Sequence, residues 1–382
     1  MSAIVIIGTG LAGYNLAREV RKLSPDVDLT LVTRDDGAFY SKPMLSNALA
    51  KQKTPAGLPM GDADKMRADL NATILTGTDV TGVDRNARTL QLDNGETLNY
   101  DKLVLATGAS PIQFPMDGDG VDDVLVVNNL HDSSVFREKL EGRKSVAIIG
   151  PGLIGCEFAN DLITNGYAVT VIGPDKAAMS TLLPVEAGRV LQDALSDLGV
   201  NWHLELTVAA INKTGTGFEL TLSDGQKVNA DLVLSAIGLR PDTQLAEAAG
   251  IEINRGVVVN RLLQSSDEHI YALGDCAEVE GQVLPFVMPL MNGARSLAAT
   301  LCGNSTQVNY PAMPVLVKTP AMPTVVSPPA RGAQGDWEFT PMDNGIKALY
   351  KNNEDQLLGF ALLGDAVNEK MALTKELPPV LA

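Results

Sequence analysis

Ile4-Val5-Ile6-Ile7-Gly8-Thr9-Gly10-Leu11-Ala12-Gly13 carries four apolar residues straight into a Gly-x-Gly-x-x-Gly turn, and a helical stretch follows from Tyr14. The chemistry this spacing allows is phosphate binding. The first glycine permits a sharp turn, the second lets the backbone approach a pyrophosphate, and the third lets the helix pack against the strand. Unpaired N–H groups at the helix start, with the positive end of its dipole, then favour the anion. Val146-Ala147-Ile148-Ile149-Gly150-Pro151-Gly152-Leu153-Ile154-Gly155 repeats the arrangement 142 positions later. Two such units in one chain predict two bound dinucleotides.

Further candidate positions follow each unit. Leu29-Thr30-Leu31-Val32 reads as a second parallel strand, and an acid about 20 positions past the fingerprint normally takes the adenosine ribose hydroxyls. That place holds Thr33, followed by Arg34 and Asp35, so the expected acid is missing and the ribose contact, at Thr33 or at Asp35, is left open. In the second unit, Val169-Thr170-Val171-Ile172 ends at Gly173, with Asp175 two residues later. No arginine cluster for a 2′-phosphate is present, and residues 116–241 carry a net charge of −8, so NADH is expected over NADPH. His269-Ile270-Tyr271-Ala272-Leu273-Gly274-Asp275 is a strand ending in Gly-Asp, which suits a carboxylate holding a sugar hydroxyl.

These residues need elements to position them, and the elements are duplicated. Leu90 to Leu98 alternates across Asn94-Gly95, a strong hairpin signal, and leads through Asp101 and Leu103-Val104-Leu105 to Ala106-Thr107-Gly108 and Pro111. The same ordered series recurs 130 positions later, through Asp224-Gly225, Asp231 and Leu232-Val233-Leu234 to Gly238 and Pro241. The repeat is therefore of whole domains. Pro289 to Leu301 reads as a helix, and from about residue 313 the pattern changes to short strands and a capped helix over 365–377. The fold class expected is α/β, with two Rossmann-like dinucleotide-binding domains and a small C-terminal α+β domain. The divisions expected are 1–112 with 242–312, 113–241, and 313–382.

Composition excludes several functions. The net charge of −16 over 382 residues leaves no basic field for nucleic acid. Residues 1–115 carry −1, residues 116–315 carry −13, and residues 316–382 carry −2, so the acidity sits mid-chain. No apolar run reaches the ~20 residues needed to span a bilayer. Cys156, Cys276 and Cys302 are far apart, which fits a cytoplasmic protein and removes the dithiol of a disulfide reductase. The three histidines, His131, His203 and His269, read as loop or strand residues with no catalytic task.

The two cradles, the two Gly-ending strands and the Gly-Asp segment, in this order, resemble the glutathione-reductase-like flavoprotein reductases. Tyr40-Ser41-Lys42-Pro43-Met44-Leu45-Ser46 is similar to the aromatic-x-basic-Pro-x-Leu-Ser stretch of members that serve small iron–sulfur carriers. The overall likeness is to the bacterial rubredoxin–NAD reductases, and it extends to Asn368-Glu369-Lys370 and Lys375-Glu376-Leu377-Pro378. The resemblance implies FAD on the first cradle and NAD(H) on the second. It implies hydride transfer to the flavin, then single electrons to rubredoxin, an acidic carrier, in the service of alkane hydroxylation or oxygen-stress reduction. Lys42 and Glu157 would form a catalytic Lys–Glu pair at the flavin–nicotinamide junction, and Lys318 would contact the isoalloxazine ring. Pro43, Val80 and Val287 complete the expected cofactor contacts. A monomer is expected. A ferredoxin or a flavorubredoxin as acceptor would use the same motifs. An NADH oxidase or peroxidase would need a cysteine near Lys42, and a non-enzymatic flavin sensor would not need Lys42 with Glu157.

Overall fold

The computed structural model describes residues 3–382. Strand Ile4–Ile7 is buried along its whole length, as a parallel strand covered on both faces must be. It pairs in parallel with Leu29–Val32 on one side and Lys102–Leu105 on the other. Thr73–Leu75 extends one edge, and Ile270–Ala272 joins the other beside Lys102–Leu105. The first sheet therefore draws one strand from far along the chain, after the second cradle unit.

The second sheet repeats the plan. Ser145–Ile149 lies between Ala168–Gly173 and Leu232–Ser235, with Asn201–Leu204 on the outer edge, all parallel. In both sheets the chain leaves the cradle strand to one side and later returns to its other side. Ligands bind at such a switch point, outside the carboxyl ends of the strands. Each unit adds a separate three-stranded antiparallel meander: Val80–Asp84, Thr89–Leu92 and Thr97–Asn99 in the first, and Val208–Lys213, Phe218–Leu222 and Lys227–Ala230 in the second. Both meanders have a register shift at the start of the first strand, between Val80 and Gly82 and between Val208 and Ala210.

The C-terminal strands form one antiparallel sheet in the order Val315–Val317, Thr324–Ser327, Leu357–Gly364, Gly345–Lys351, Asp336–Met342. The capped helix expected over 365–377 is instead a 3-10 turn, Asp365–Glu369, running into a short α-helix, Lys370–Glu376. Gly364 precedes it and supplies no side-chain cap. One face of this sheet packs on its own helix through Phe360, Leu362, Ala366 and Leu373. The other face, with Val326, Ala348, Ala361 and Leu363, merges into a core with Phe158, Leu162, Leu191 and Leu195 of the second cradle unit. Each such fully buried large side chain contributes roughly 1.5–3 kcal/mol. The first sheet keeps a separate core, in which Leu16, Leu31, Leu103, Ile270 and Leu297 are central.

Candidate active site

In the first cradle, Gly8 turns the chain with φ +110°. A Cβ on Gly13 would stand 1.9 Å from the Gly8 carbonyl oxygen, so the helix can lie this close only with hydrogen there. A Cβ on Gly10 would meet nothing within 4 Å: that glycine faces open space above the helix start. Helix Leu11–Leu23 begins at Gly10 with no side-chain cap and no acidic residue in its first turn. The second cradle has the same division, with Gly155 against the Gly150 carbonyl oxygen at 1.9 Å and Gly152 open. Helix Leu153–Thr164 likewise starts uncapped and without an acid in its first turn. Both helix starts thus leave N–H groups without side-chain caps beside open space at Gly10 and Gly152, which fits a pyrophosphate in each.

Of the remaining expected flavin residues, Gly274 and Ala106 lie against the first cradle. A Cβ on Gly274 would lie 2.9 Å from Ala12 Cβ, so the Gly-Asp turn sits against the cradle helix. Asp275 follows it and faces Lys42, the first residue of a 3-10 helix, Lys42–Asn47. Burial lowers the Lys42 ammonium from its ordinary value, opposed by the charges of Asp275 and Asp132. Burial raises the Asp275 carboxyl, opposed by Lys42. Each therefore favours the charged form of the other. The two Gly-ending strands also meet: Ala109–Pro111, after Gly108, pairs antiparallel with Leu239–Pro241, after Gly238. Thr107 Oγ1 donates to the Asp242 carbonyl at 2.8 Å, and Asp242 N–H donates to the Gly108 carbonyl at 3.0 Å. Ala106 underlies Gly8, and Pro43 sits in the first turn of the 3-10 helix. Val80 lies in the first core, while Val287, at the start of helix Val287–Leu301, is 41% exposed.

Glu157 does not make the pair expected of it. Its carboxylate is fully buried, and the cation on it is Lys318, whose Nζ contacts Oε2. The Lys318 backbone N–H donates to Oε1 at 2.9 Å, and Ser46 Oγ donates to Oε2 at 2.5 Å. Lys42 starts the turn whose buried side holds Ser46, and its own carboxylate neighbours are Asp275 and Asp132. Lys318, expected at the isoalloxazine ring, spends its ammonium on Glu157. Removing one partner of a buried ion pair costs about 3–5 kcal/mol, so this contact is a fixed joint.

The ribose positions resolve into different tasks. Thr33 is buried, and its hydroxyl accepts from the Asp35 N–H at 3.2 Å, closing the turn after the strand. Asp35 and Arg34 are exposed. Among the described residues the Asp35 side chain makes no hydrogen bond. In the second unit a Cβ at Gly173 would fall 2.2 Å from Pro151 Cδ, so the proline inside the cradle excludes any side chain where the acid was expected. Asp175, two residues further on, accepts a hydrogen bond from Ser180 Oγ.

A sequence model described as pyridine nucleotide-disulphide oxidoreductase matches residues 2–296, and one described as rubredoxin binding C-terminal domain matches residues 307–377. The chain belongs to the pyridine nucleotide-disulphide oxidoreductase family. It is 47% identical over 382 residues to the rubredoxin-NAD(+) reductase of Alcanivorax borkumensis, covering 100% of both chains. It is 37% identical to the nitric oxide reductase FlRd-NAD(+) reductase of Escherichia coli K12, covering 99% of each. Among solved structures it resembles the ferredoxin reductase for the CYP199A2 system from Rhodopseudomonas palustris, with a TM-score of 0.89, 26% identity, and coverage of 99% and 96%. FAD and NAD(H) are the cofactors of this oxidoreductase.

In this member of the family no thiol serves the reaction site. Cys276 is buried, with Sγ 3.3 Å from the Leu105 carbonyl oxygen, and burial pushes its thiol up. Cys156 is buried with Sγ 3.3 Å from the Pro151 carbonyl oxygen, and is likewise pushed up by burial. Cys302 is exposed. His131 lies in a helix, Leu130–Leu140, where a loop or strand was expected. Sequence reading missed three polar residues on or against the second cradle helix, Ser46, Asn160 and Asp161, and Asp132 beside the Lys42 turn. Ser46 bonds Glu157. Asp161 accepts from the N–H groups of Leu49 at 3.1 Å and Ala50 at 2.7 Å. Asn160 Oδ1 accepts from the Ala321 N–H at 3.0 Å, and Asp132 faces Lys42. The available signal was the run of buried polar residues, Glu157, Asn160 and Asp161, on an otherwise apolar helix.

Proposed function

We propose that this chain passes electrons from NADH, held on the cradle at Gly150–Gly155, to rubredoxin, by way of FAD held on the cradle at Gly8–Gly13. The observation that carries the reading is the match of residues 307–377 to the rubredoxin-binding domain, in a chain with two complete dinucleotide cradles. Bound FAD supplies the exchange of an electron pair for two single electrons, a chemistry no side chain offers. The chain's own residues bind and position. The two uncapped helix starts hold the pyrophosphates, Asp35 and Asp175 take the riboses, and Lys42 presents a half-buried cation beside Asp275 at the flavin. Carboxylates at Asp175 and through residues 116–241 disfavour a 2′-phosphate, which makes NADH the donor. Residues 1–112 with 242–312 form the FAD domain, 113–241 the NAD domain and 313–382 the acceptor domain. Among the described residues no helix is long and apolar enough to cross a membrane, and free thiols suit a cytoplasmic site of action.

The test is a visible spectrum under anaerobic conditions. NADH bleaches the flavin bands, and a small amount of oxidised rubredoxin restores them through many turnovers. Restoration by a flavorubredoxin or a ferredoxin at a higher kcat/KM than by rubredoxin would replace rubredoxin as the acceptor. An absence of bleaching by NADH would end the reading altogether.

A further inference from the structure

Helix Leu153–Thr164 starts at the coenzyme cradle, and its buried polar residues tie down two segments from elsewhere in the chain. Toward the Lys42 turn, Glu157 takes the Ser46 hydroxyl, and Asp161 takes the Leu49 and Ala50 N–H groups. Toward the C-terminal sheet, Glu157 takes both the backbone N–H and the ammonium of Lys318, and Asn160 takes the Ala321 N–H. Only Glu157 bonds both segments with one carboxylate. It is 0% exposed, and Lys318 is its only ion-pair partner among the described residues. Without Lys318 the buried carboxylate would keep only the Ser46 hydroxyl as a side-chain donor, and its charge would stand uncompensated.

We propose that Glu157 is the joint through which the C-terminal domain sets the Lys42 turn against the coenzyme cradle, with Lys318 and Ser46 as its positioning residues. This rests on the reading of the second cradle as the NADH site and adds a linkage to it. Whatever displaces Lys318, which lies one residue beyond strand Val315–Val317, must loosen the 3-10 helix Lys42–Asn47 and weaken coenzyme binding. By reciprocity, coenzyme binding must stiffen the C-terminal domain around Lys318.

The holoenzyme is examined by hydrogen–deuterium exchange over residues 44–53 and by calorimetric titration with NAD+. Lys318→Met is expected to raise exchange in that segment at least tenfold and the Kd for NAD+ at least fivefold. Lys318→Arg, which keeps the charge, restores both to within twofold of wild type. Glu157→Gln combined with Lys318→Met removes the unpaired buried charge and restores the exchange rate. Ser46→Ala raises exchange while leaving the Glu157–Lys318 pair in place, which keeps the inference testable if Lys318→Met folds poorly. Wild-type exchange in both Lys318→Met and Ser46→Ala would overturn the linkage, as would a double variant as loose as the single one. Failure of the wild type to bind NAD+ would instead sink the assignment of the second cradle, whatever the exchange data show.

Discussion

At the scale of single residues, the glycines of each cradle separate into two kinds. Gly13 is glycine because of the fold: a methyl group there would meet the Gly8 carbonyl oxygen at 1.9 Å. Gly10 is glycine although the fold leaves room, with φ −68° and nothing within 4 Å of an added Cβ. The ligand must therefore be what needs the space. Gly10→Ala is expected to cost the apoprotein no more than about 1 kcal/mol, the penalty for alanine at a helix N-cap, while raising the Kd for FAD at least tenfold. Gly13→Ala is expected to destabilise the apoprotein by about 3 kcal/mol, as overpacking does. Thermal melting of the two apoproteins, with FAD titrated into each, checks the contrast. A Gly10→Ala protein that binds FAD as tightly as wild type would remove the phosphate from this cradle.

At the scale of elements, the end of strand Ala168–Gly173 shows how one substitution constrains another. Pro151 in the cradle occupies the space above Gly173, so no acid can stand there, and the nearest carboxylate along the chain is Asp175, braced by Ser180. Gly173→Asp alone should fold poorly, because its Cβ would lie 2.2 Å from Pro151 Cδ. Pro151→Ala with Gly173→Asp should fold and keep NADH. Asp175→Ala should lower the preference for NADH over NADPH at least fivefold, since a charge-assisted hydrogen bond is worth about 1.5–3 kcal/mol. Steady-state kinetics with both coenzymes decide this, and an unchanged ratio in Asp175→Ala would assign the ribose elsewhere. The cradles, the strand exits at Gly108 and Gly238 and the strands of the C-terminal sheet were all legible in the sequence, because each depends on steric demands within a few residues. The partners of Glu157 were not. Lys42 and Lys318 both lie far from it along the chain, and the choice between them depends on how the C-terminal sheet docks on the second core. That docking is spread over many apolar contacts, from Leu191 to Leu363, with no local signature. The uncertainty at Thr33 was of the same kind: only the turn geometry shows its hydroxyl facing the Asp35 N–H.

At the scale of the whole molecule, charge limits where an acidic carrier can land. The net charge of −16 is concentrated in residues 116–315, which carry −13, so approach over that middle part of the chain is repelled. The stretch Tyr40–Arg67 carries five basic residues and two acidic ones. Within it, Lys65 and Arg67 are neutralised by Asp69 and Asp64. Lys51 and Lys53 are exposed and form no ion pair among the described residues. They follow directly on the 3-10 helix that carries Lys42, so a carrier drawn to them arrives beside the flavin turn. Exposed charges of this kind act mainly on the association rate and its salt dependence. Lys51→Glu with Lys53→Glu is therefore expected to lower kcat/KM for rubredoxin at least tenfold at low ionic strength and to flatten its dependence on salt. Reduction of ferricyanide, a small anion with no docking surface to match, should change less than twofold. Stopped-flow rates with both acceptors over a range of ionic strength separate the outcomes. Equal losses with the two would place the defect at the flavin, and an unchanged salt slope with rubredoxin would move the landing site away from this stretch.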